Sequence, residues 1–346
     1  MPQPGFFDLD ERFAKLDGIG DPLVKIKAVV DWEGFRPILD EALEKPRKSN
    51  AGRKEYDRVL MFKITVLQHL YNLGDDQSEY QIRDRYSFSR FLDLTPEDEV
   101  PDAKTIWRFK EGLKSAHVFD RLFDELLLQI AAEGYVARKG QIVDASLIAA
   151  PIQRNSREEN ARIKQGEVPE DWSEAKRRQK DVEARWTQKN DVNHYGYKNH
   201  VSIDREHKVI RRWQVSDAAL HDSQVFGELL DEANSSGDVW ADSAYRSAAT
   251  EAALKEDGWR SRIHRKGQKD KPLNEREQEA NRKRSQVRSR VEHVFAQQEA
   301  MGGTLVRTIG IVRARFKIGM KNLVYNIRRL AWLKENVKPK GRYAVV

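Results

Sequence analysis

Apolar residues in the first 135 positions recur at helical spacing. In YDRVLMFKITVLQHLYNL, Val59, Phe62, Val66 and Leu70 fall three to four apart, which predicts a helix with a buried stripe. SEYQIRDRYSFSRFLDL continues as a second amphipathic segment. VPDAKTIWRFKEGL follows, with Asp102 placed to cap its first turn and Gly112 near its end. Phe119, Leu122, Phe123, Leu126 and Leu127 mark a further helix. Residues 1–51 read as an arm with one short helix, and EKPRKSNAGRK (44–54) as a polar, basic linker. A capped helix bearing Lys104, Thr105, Arg108 and Lys110 is compatible with a helix-turn-helix variant that reads DNA. An ordinary helical bundle, serving dimerisation, is the alternative.

From residue 136 the period shortens. KGQIVDASLIAA (139–150) is a short apolar run, as expected of a buried strand. HVSIDREHKVIRRWQVSD (200–217) reads as two strands joined by a polar turn at 205–208. SQVFGELLDEAN (223–234) reads as a helix, DVWADSAY (238–245) as a strand, SAATEAALKEDG (247–258) as a helix ending on Gly258, and RSRIHRK as a further strand. Residues 275–298 read as one long helix with Val287, Val291 and Val294 on its apolar stripe. Hairpin-linked strands followed by strand–helix alternation predict a mixed α/β fold, a mixed sheet covered by helices, in the order of the ribonuclease-H-like fold. The expected domains are a helical region at 1–135, a catalytic core at 136–300 and a basic helical segment at 301–346. Residues 151–190 are dense in charge of both signs and break the pattern. They read as an excursion from the core, either a helical flap over DNA or a loop without fixed structure.

Charge changes the picture. The chain carries a net +7, but residues 260–346 hold 23 Lys/Arg against 7 Asp/Glu, a net +16, which leaves −9 for the rest. Such asymmetry points to a polyanion partner, with a solvated surface as the competing explanation. Arg282, Lys283, Arg284 and Arg288 are the candidate phosphate contacts of this stretch. The chain has no cysteine, which excludes disulfide scaffolds, cysteine-ligated zinc and thiol nucleophiles. A resident metal would need oxygen ligands or the 8 histidines, and oxygen ligands favour Mg²⁺, with Mn²⁺ as the alternative. No apolar run approaches the roughly 20 residues of a membrane helix. The opening MPQPGFFDLDERF lacks a basic stretch followed by an apolar one, so a cytoplasmic location is expected and no membrane partner.

Three acids stand out. Asp144 interrupts an apolar strand, where an unpartnered carboxylate is costly. Asp242 does the same at the end of a second strand. Glu292 sits beside the valine stripe, with Arg288 one turn earlier on that face. A lone Asp at a strand end is more often a cap, and a Glu in an Arg-rich helix more often a surface ion pair. Together, in these elements and this order, the three suit a site holding two metal ions.

The stretches YDRVLMFKITVLQHLYNLGDDQSEYQIRDRYSFSRFLDL, VPDAKTIWRFKE, QIVDASLIAAPIQRNSREEN, DVEARWTQKNDVNHYGYKNHVSID, SDAALHDSQV, DVWADSAYRS and RSRVEHVFAQQEAMGGTLVRTIG carry a resemblance over nearly the whole chain. The chain resembles the bacterial transposases of insertion-sequence family five, in the broad DDE group. The resemblance implies a ribonuclease-H-like core in which Asp144, Asp242 and Glu292 are the catalytic, metal-holding acids. Of the group's Y-(2)-R-(3)-E-(6)-K signature, Arg288 and Glu292 fit, whereas Ser285 and Glu299 stand at the tyrosine and lysine positions, so those two phosphate contacts are not carried over. Fifty residues separate Asp242 from Glu292, too few for the large β-rich insertion of some relatives. YGYKNH and LHDS also match, which makes Lys198, His200 and His221 candidate phosphate contacts, with a structural hydrogen bond as the alternative for each histidine. Lys104 and Arg108 complete the candidate DNA contacts.

The expected function is a DNA transposase that binds the inverted-repeat ends of its element, cleaves them with two Mg²⁺ ions and joins the 3′-ends to target DNA. Its partners are then double-stranded DNA and further copies of itself assembled on that DNA, in association with the bacterial nucleoid. A metal-dependent nuclease on the same core, and a catalytically silent DNA-binding regulator, are the alternatives.

Overall fold

The computed structural model describes residues 8–44, 55–153, 155–189, 191–267 and 272–339. All but the first residue of the expected linker at 44–54 lies outside these. The chain forms two compact units, one from residues 1–135 with 323–346, the other from 136–322.

The first unit is helical. It contains α1 (Asp8–Ile19), α2 (Pro22–Val29), α3 (Arg36–Leu43), α4 (Arg58–Tyr71), α5 (Asp75–Asp84), α6 (Tyr86–Leu92), α7 (Ala103–Ser115) and α8 (Phe119–Ala132). Three helices therefore form where the apolar pattern of residues 1–51 showed one. The second amphipathic segment is two helices, broken at Arg85, whose backbone is extended. Asp57 caps α4, its carboxylate accepting from the Leu60 N–H at 2.9 Å. α4 is buried on all sides over Met61–His69, not along one stripe. Its polar members pair: Lys63 donates to Asp93 at 2.9 Å and Gln68 to Asp75 at 2.7 Å. Asp102 caps α7 through the Thr105 N–H at 2.6 Å, as its position predicts, and Glu79 of α5 accepts from the Ala103 N–H at 2.9 Å. α7 buries Ile106, Phe109 and Leu113 and leaves Lys104, Trp107 and Arg108 exposed.

The second unit is built on a mixed sheet. Its elements are β1 (Gln141–Ala149), α9 (Arg157–Lys164), α10 (Glu174–Gln179), β2 (Arg185–Lys189), β3 (Val192–Asp204), β4 (Ile210–Asp217), β5 (Asp238–Trp240), α11 (Ala248–Glu256), β6 (Arg260–Ser261), α12 (Glu275–Arg288), α13 (Glu292–Ala300) and α14 (Ile311–Asn336). β1 pairs antiparallel with β3 along its whole length, β4 pairs antiparallel with β3, and β5 then β6 join parallel beyond β1. An antiparallel meander extended by parallel strands is the ribonuclease-H-like order. The β3–β4 turn falls where the polar residues placed it. Gly196 lies where β1, β2 and β3 meet; with φ at +153°, a Cβ there would stand 2.1 Å from the Ile148 carbonyl oxygen.

Three expectations change. Residues 223–234 are not a helix: two 3₁₀ turns, Asp222–Gln224 and Gly227–Leu229, carry the chain across the sheet. Val225, Phe226 and Leu229 imitate helical spacing but bury beside Tyr245 and Leu254. Asn234 then arrests the chain by a reciprocal pair with the Gly140 backbone, both bonds 2.9 Å. The long helix at 275–298 is interrupted by a 3₁₀ turn at Ser289–Val291. α12 buries no residue, whereas Val291 and Val294 are fully enclosed, so the axis breaks where packing begins. The charged excursion at 151–190 contains α9, α10 and all but the end of strand β2's surroundings; β2 itself pairs with β3. Nor do residues 301–346 stand alone. They are divided between the two units within α14, after Asn322.

A buried amide cluster ties α13 and α14 to β3. Asn199 and Asn322 exchange hydrogen bonds at 2.9 and 3.1 Å, and Gln298 donates to Asn322 at 2.6 Å.

Candidate active site

Asp144 stands in the middle of β1, opposite Val201, and is 9% exposed. Burial pushes its carboxyl up to about 6; the Arg288 guanidinium and the Ala145 N–H pull it back, while the charge of Asp242 adds to the rise. Its Oδ1 accepts from Ala145 N at 2.9 Å and its Oδ2 from Arg288 Nη1 at 2.5 Å. Asp242 follows β5. Ile142 and Trp240 are partners in the parallel pairing of β1 with β5, so each Asp lies two residues beyond the same rung. The parallel register thus brings Asp144 and Asp242 to one level of the sheet. Asp242 caps the 3₁₀ turn Ser243–Tyr245, accepting from Ala244 N at 2.7 Å.

Glu292 opens α13 just after the helix break, its side chain 61% exposed. Arg288 Nη1 lies 4.0 Å from its Oε1, so one guanidinium stands between the first acid and the third. Among the described residues, no three His, Asp or Glu side chains converge closely enough to hold a metal ion. The donor chemistry nonetheless suits a hard divalent cation. All three candidates are carboxylates, two sit side by side, and a cationic group already rests on the buried one.

Sequence reasoning missed Tyr245. Its ring packs on Phe226 with centroids 5.3 Å apart, and its hydroxyl is buried without a partner. Burial raises its phenol well above the usual range, with Asp222, Asp144 and Asp242 adding to the effect. The available signal was an aromatic residue three places after the second acid, in ADSAY.

The candidate phosphate contacts separate into two groups. Lys198 points inward, donating to the Leu220 carbonyl at 2.7 Å and Asp222 at 2.8 Å, and so braces the loop after β4. His200 is fully enclosed, with Nε2 2.8 Å from Ser216 Oγ, and burial pushes its imidazole down to about 4. No phosphate can reach it, so its role is the structural alternative. Arg284 is half-buried and donates to the Ile263 carbonyl at 3.1 Å, which fastens α12 to the chain after β6. By contrast His221 is exposed at the turn it caps, with Nδ1 2.8 Å from Ser223 Oγ. Arg282 and Lys283 are 74% and 73% exposed and loosely paired with Glu279. Lys104 and Arg108 lie on the exposed face of α7 in the helical unit.

Two family matches cover most of the chain: a Transposase domain (DUF772) over residues 10–112 and a Transposase DDE domain over residues 138–327. Among solved structures, the chain is similar to the piggyBac transposase synaptic complex with hairpin DNA, at 12% identity and a TM-score of 0.45, over 93% of this chain and 77% of that one. No described helix is long and apolar enough to cross a membrane. The DDE match spans more than half of the 346 residues and contains Asp144, Asp242 and Glu292, and the chain belongs to the DDE transposases, enzymes that act on DNA with divalent metal ions.

Proposed function

We propose that this transposase belongs to insertion-sequence family five of bacteria, and that Asp144, Asp242 and Glu292 are its catalytic acids. The observation that carries the assignment is the shared level of Asp144 and Asp242 on parallel strands, with Arg288 reaching from Asp144 toward Glu292. The three carboxylates would hold two Mg²⁺ ions, with Mn²⁺ as a substitute. Bound there, divalent ions supply activation of an attacking oxygen and stabilisation of the leaving one.

The chain's own groups have separate tasks in this reading. Asp144 is held ready by the sheet. Arg288 neutralises it in the free protein and, once displaced, is a fork suited to two phosphate oxygens. Tyr245 offers a hydroxyl beside both aspartates. Lys198 fixes Asp222 and the adjoining loop. Water opens the strand at the element end, and the freed 3′-hydroxyl then joins target DNA, with no covalent protein–DNA intermediate. The exposed face of α7, with Lys104 and Arg108, supports end recognition by the helical unit, and Arg282, Lys283 and His221 support phosphate binding. The active form is a homo-oligomer on the paired ends.

The test is to mix purified protein, DNA bearing the ends of its own element, target DNA and Mg²⁺, and to sequence the products. Joined 3′-ends support the reading. Cleavage without joining supports the nuclease alternative, and binding without cleavage the regulator.

A further inference from the structure

Between α9 and the β2–β3 hairpin lies a cleft of about 500 Å³, within the range of small-ligand pockets, roughly 300–1,000 Å³. Its walls include Asn155, Asn160, Lys164, Arg185, Trp186 and His221. We propose that this cleft receives a single nucleobase unstacked from the DNA beside the cut, with Trp186 as its stacking platform. The proposal rests on the DNA-binding reading above and adds a subsite to it.

Trp186 is 42% exposed although it belongs to a strand. Its ring lies 5.1 Å from that of Tyr195, which is itself buried and anchored by its hydroxyl to the Asp181 carbonyl at 2.7 Å. The indole is thus supported by a fixed aromatic neighbour and remains open to a ligand. A large aromatic surface held in this way is costly in water and suits the face of a base, since every base has a π-face. The polar lining supplies an edge contact. Asn155 Oδ1 is buried with no hydrogen-bond partner, while its amide nitrogen lies 3.4 Å from Asn160 Oδ1. An unmet buried acceptor is expensive, and the exocyclic amine of adenine or cytosine would satisfy it. Lys164 and Arg185 add positive charge for the attached phosphates.

The position also fits. Tyr195 is five residues along β3 from His200, which pairs with Ala145 beside Asp144. At about 3.3 Å per extended residue this is roughly 16 Å, or about five base steps of stacked duplex at 3.4 Å each. A strand whose scissile phosphate lies at Asp144 would bring one of its next few bases to the cleft. Unstacking a base has a cost, which the platform and the edge contact offset.

The full-length protein is titrated with a short random-sequence duplex, fully paired, and with the same duplex carrying one extrahelical 2-aminopurine. The expected result is about tenfold tighter binding of the bulged duplex, the scale of stacking one base, with the 2-aminopurine emission quenched. Trp186→Ala should abolish the preference and the quenching but leave affinity for paired duplex unchanged, and Trp186→Phe should keep most of both. Asn155→Leu should weaken binding of a bulged adenine more than of a bulged thymine. Equal affinity for the two duplexes with unchanged emission, in protein that binds paired DNA, overturns the base pocket alone. Failure to bind either duplex overturns the DNA reading with it. Because the parent protein alone gives the preference and the quenching, a Trp186→Ala variant that does not fold leaves the test standing, and Trp186→Phe then supplies the mutant arm.

Discussion

The sheet side and the helix side of the candidate site are built in opposite ways. Asp144 lies in a strand paired along its length, 9% exposed, and Asp242 is aligned with it by parallel register. Glu292 lies at a break between two helices, 61% exposed, after a helix that buries nothing. Two acids are therefore fixed by the fold, whereas the third stands on an element that packs only from Val291 onward. The contrast accounts for the absence of a ready three-carboxylate cluster among the described residues. Half of the site is made by folding, and the other half waits for ligands, with Arg288 bridging the two.

The largest expected effect tests whether both halves are needed. Asp144→Asn, Asp242→Asn and Glu292→Gln should each lower strand cleavage on the order of a thousandfold, several kcal/mol of barrier, while filter binding of end DNA survives. If Glu292→Gln keeps near-parent nicking when the aspartate variants are dead, the helix side contributes no ligand.

The rigidity of the sheet side can be probed by acid. His200, opposite Ala145, has its imidazole held near 4 by burial, below the ordinary value of about 6.5. The unfolded chain binds that proton more readily. Stability is thus intact above about pH 6.5 and is lost as pH falls toward 4, by up to about 3 kcal/mol. His200→Gln should flatten the acid limb of a urea-unfolding series; an unchanged limb would place the acid sensitivity elsewhere.

Arg288→Met should sharpen the link between the halves. Without the guanidinium, Asp144 and Asp242 repel each other, so the metal-free protein should melt lower and gain more from Mg²⁺. The added gain should be a few degrees, since about 1 kcal/mol corresponds to roughly 2–4 °C in a unit of this size. Melting with and without Mg²⁺ decides it, and an equal gain in parent and variant would show that Arg288 does not compete for the site.

The smallest effect separates the arginines of α12. Neutralising Arg282 and Lys283 together should flatten the log–log salt dependence of DNA binding by roughly one to two units, about 0.9 per phosphate. Arg284→Gln should leave that slope alone and lower thermal stability instead, because its guanidinium holds the Ile263 carbonyl. A flattened slope in Arg284→Gln would return it to the phosphate contacts.

What the sequence displayed followed from how local each cause was. Asp102 and the Arg205–Lys208 turn act over a few residues, and both appear where composition put them. Asp144 was conspicuous because a charge inside an apolar run has no local explanation. The errors came from distant partners. Val225, Phe226 and Leu229 have helical spacing, but Tyr245, Leu254 and the Gly140–Asn234 pair determine their path. Lys198 and Arg284 look like phosphate ligands because the carbonyls that hold them, Leu220 and Ile263, are 22 and 21 residues away. Arg288 was legible as a neighbour of Glu292, yet its contact with Asp144 spans 144 residues.

The Asn199–Asn322 pair sets a timetable for the nascent chain. Its partners are 123 residues apart. At about 5–20 residues per second of synthesis, β3 emerges roughly 6–25 s before the amide that completes its packing. During that interval the strands exist without their last covering helix, and a message cut short before residue 322 yields a sheet bearing Asp144 and Asp242 but no finished core. Release of an intact enzyme is thereby tied to near-completion of translation, and fragments of the gene product should be cleared by proteases before they reach DNA.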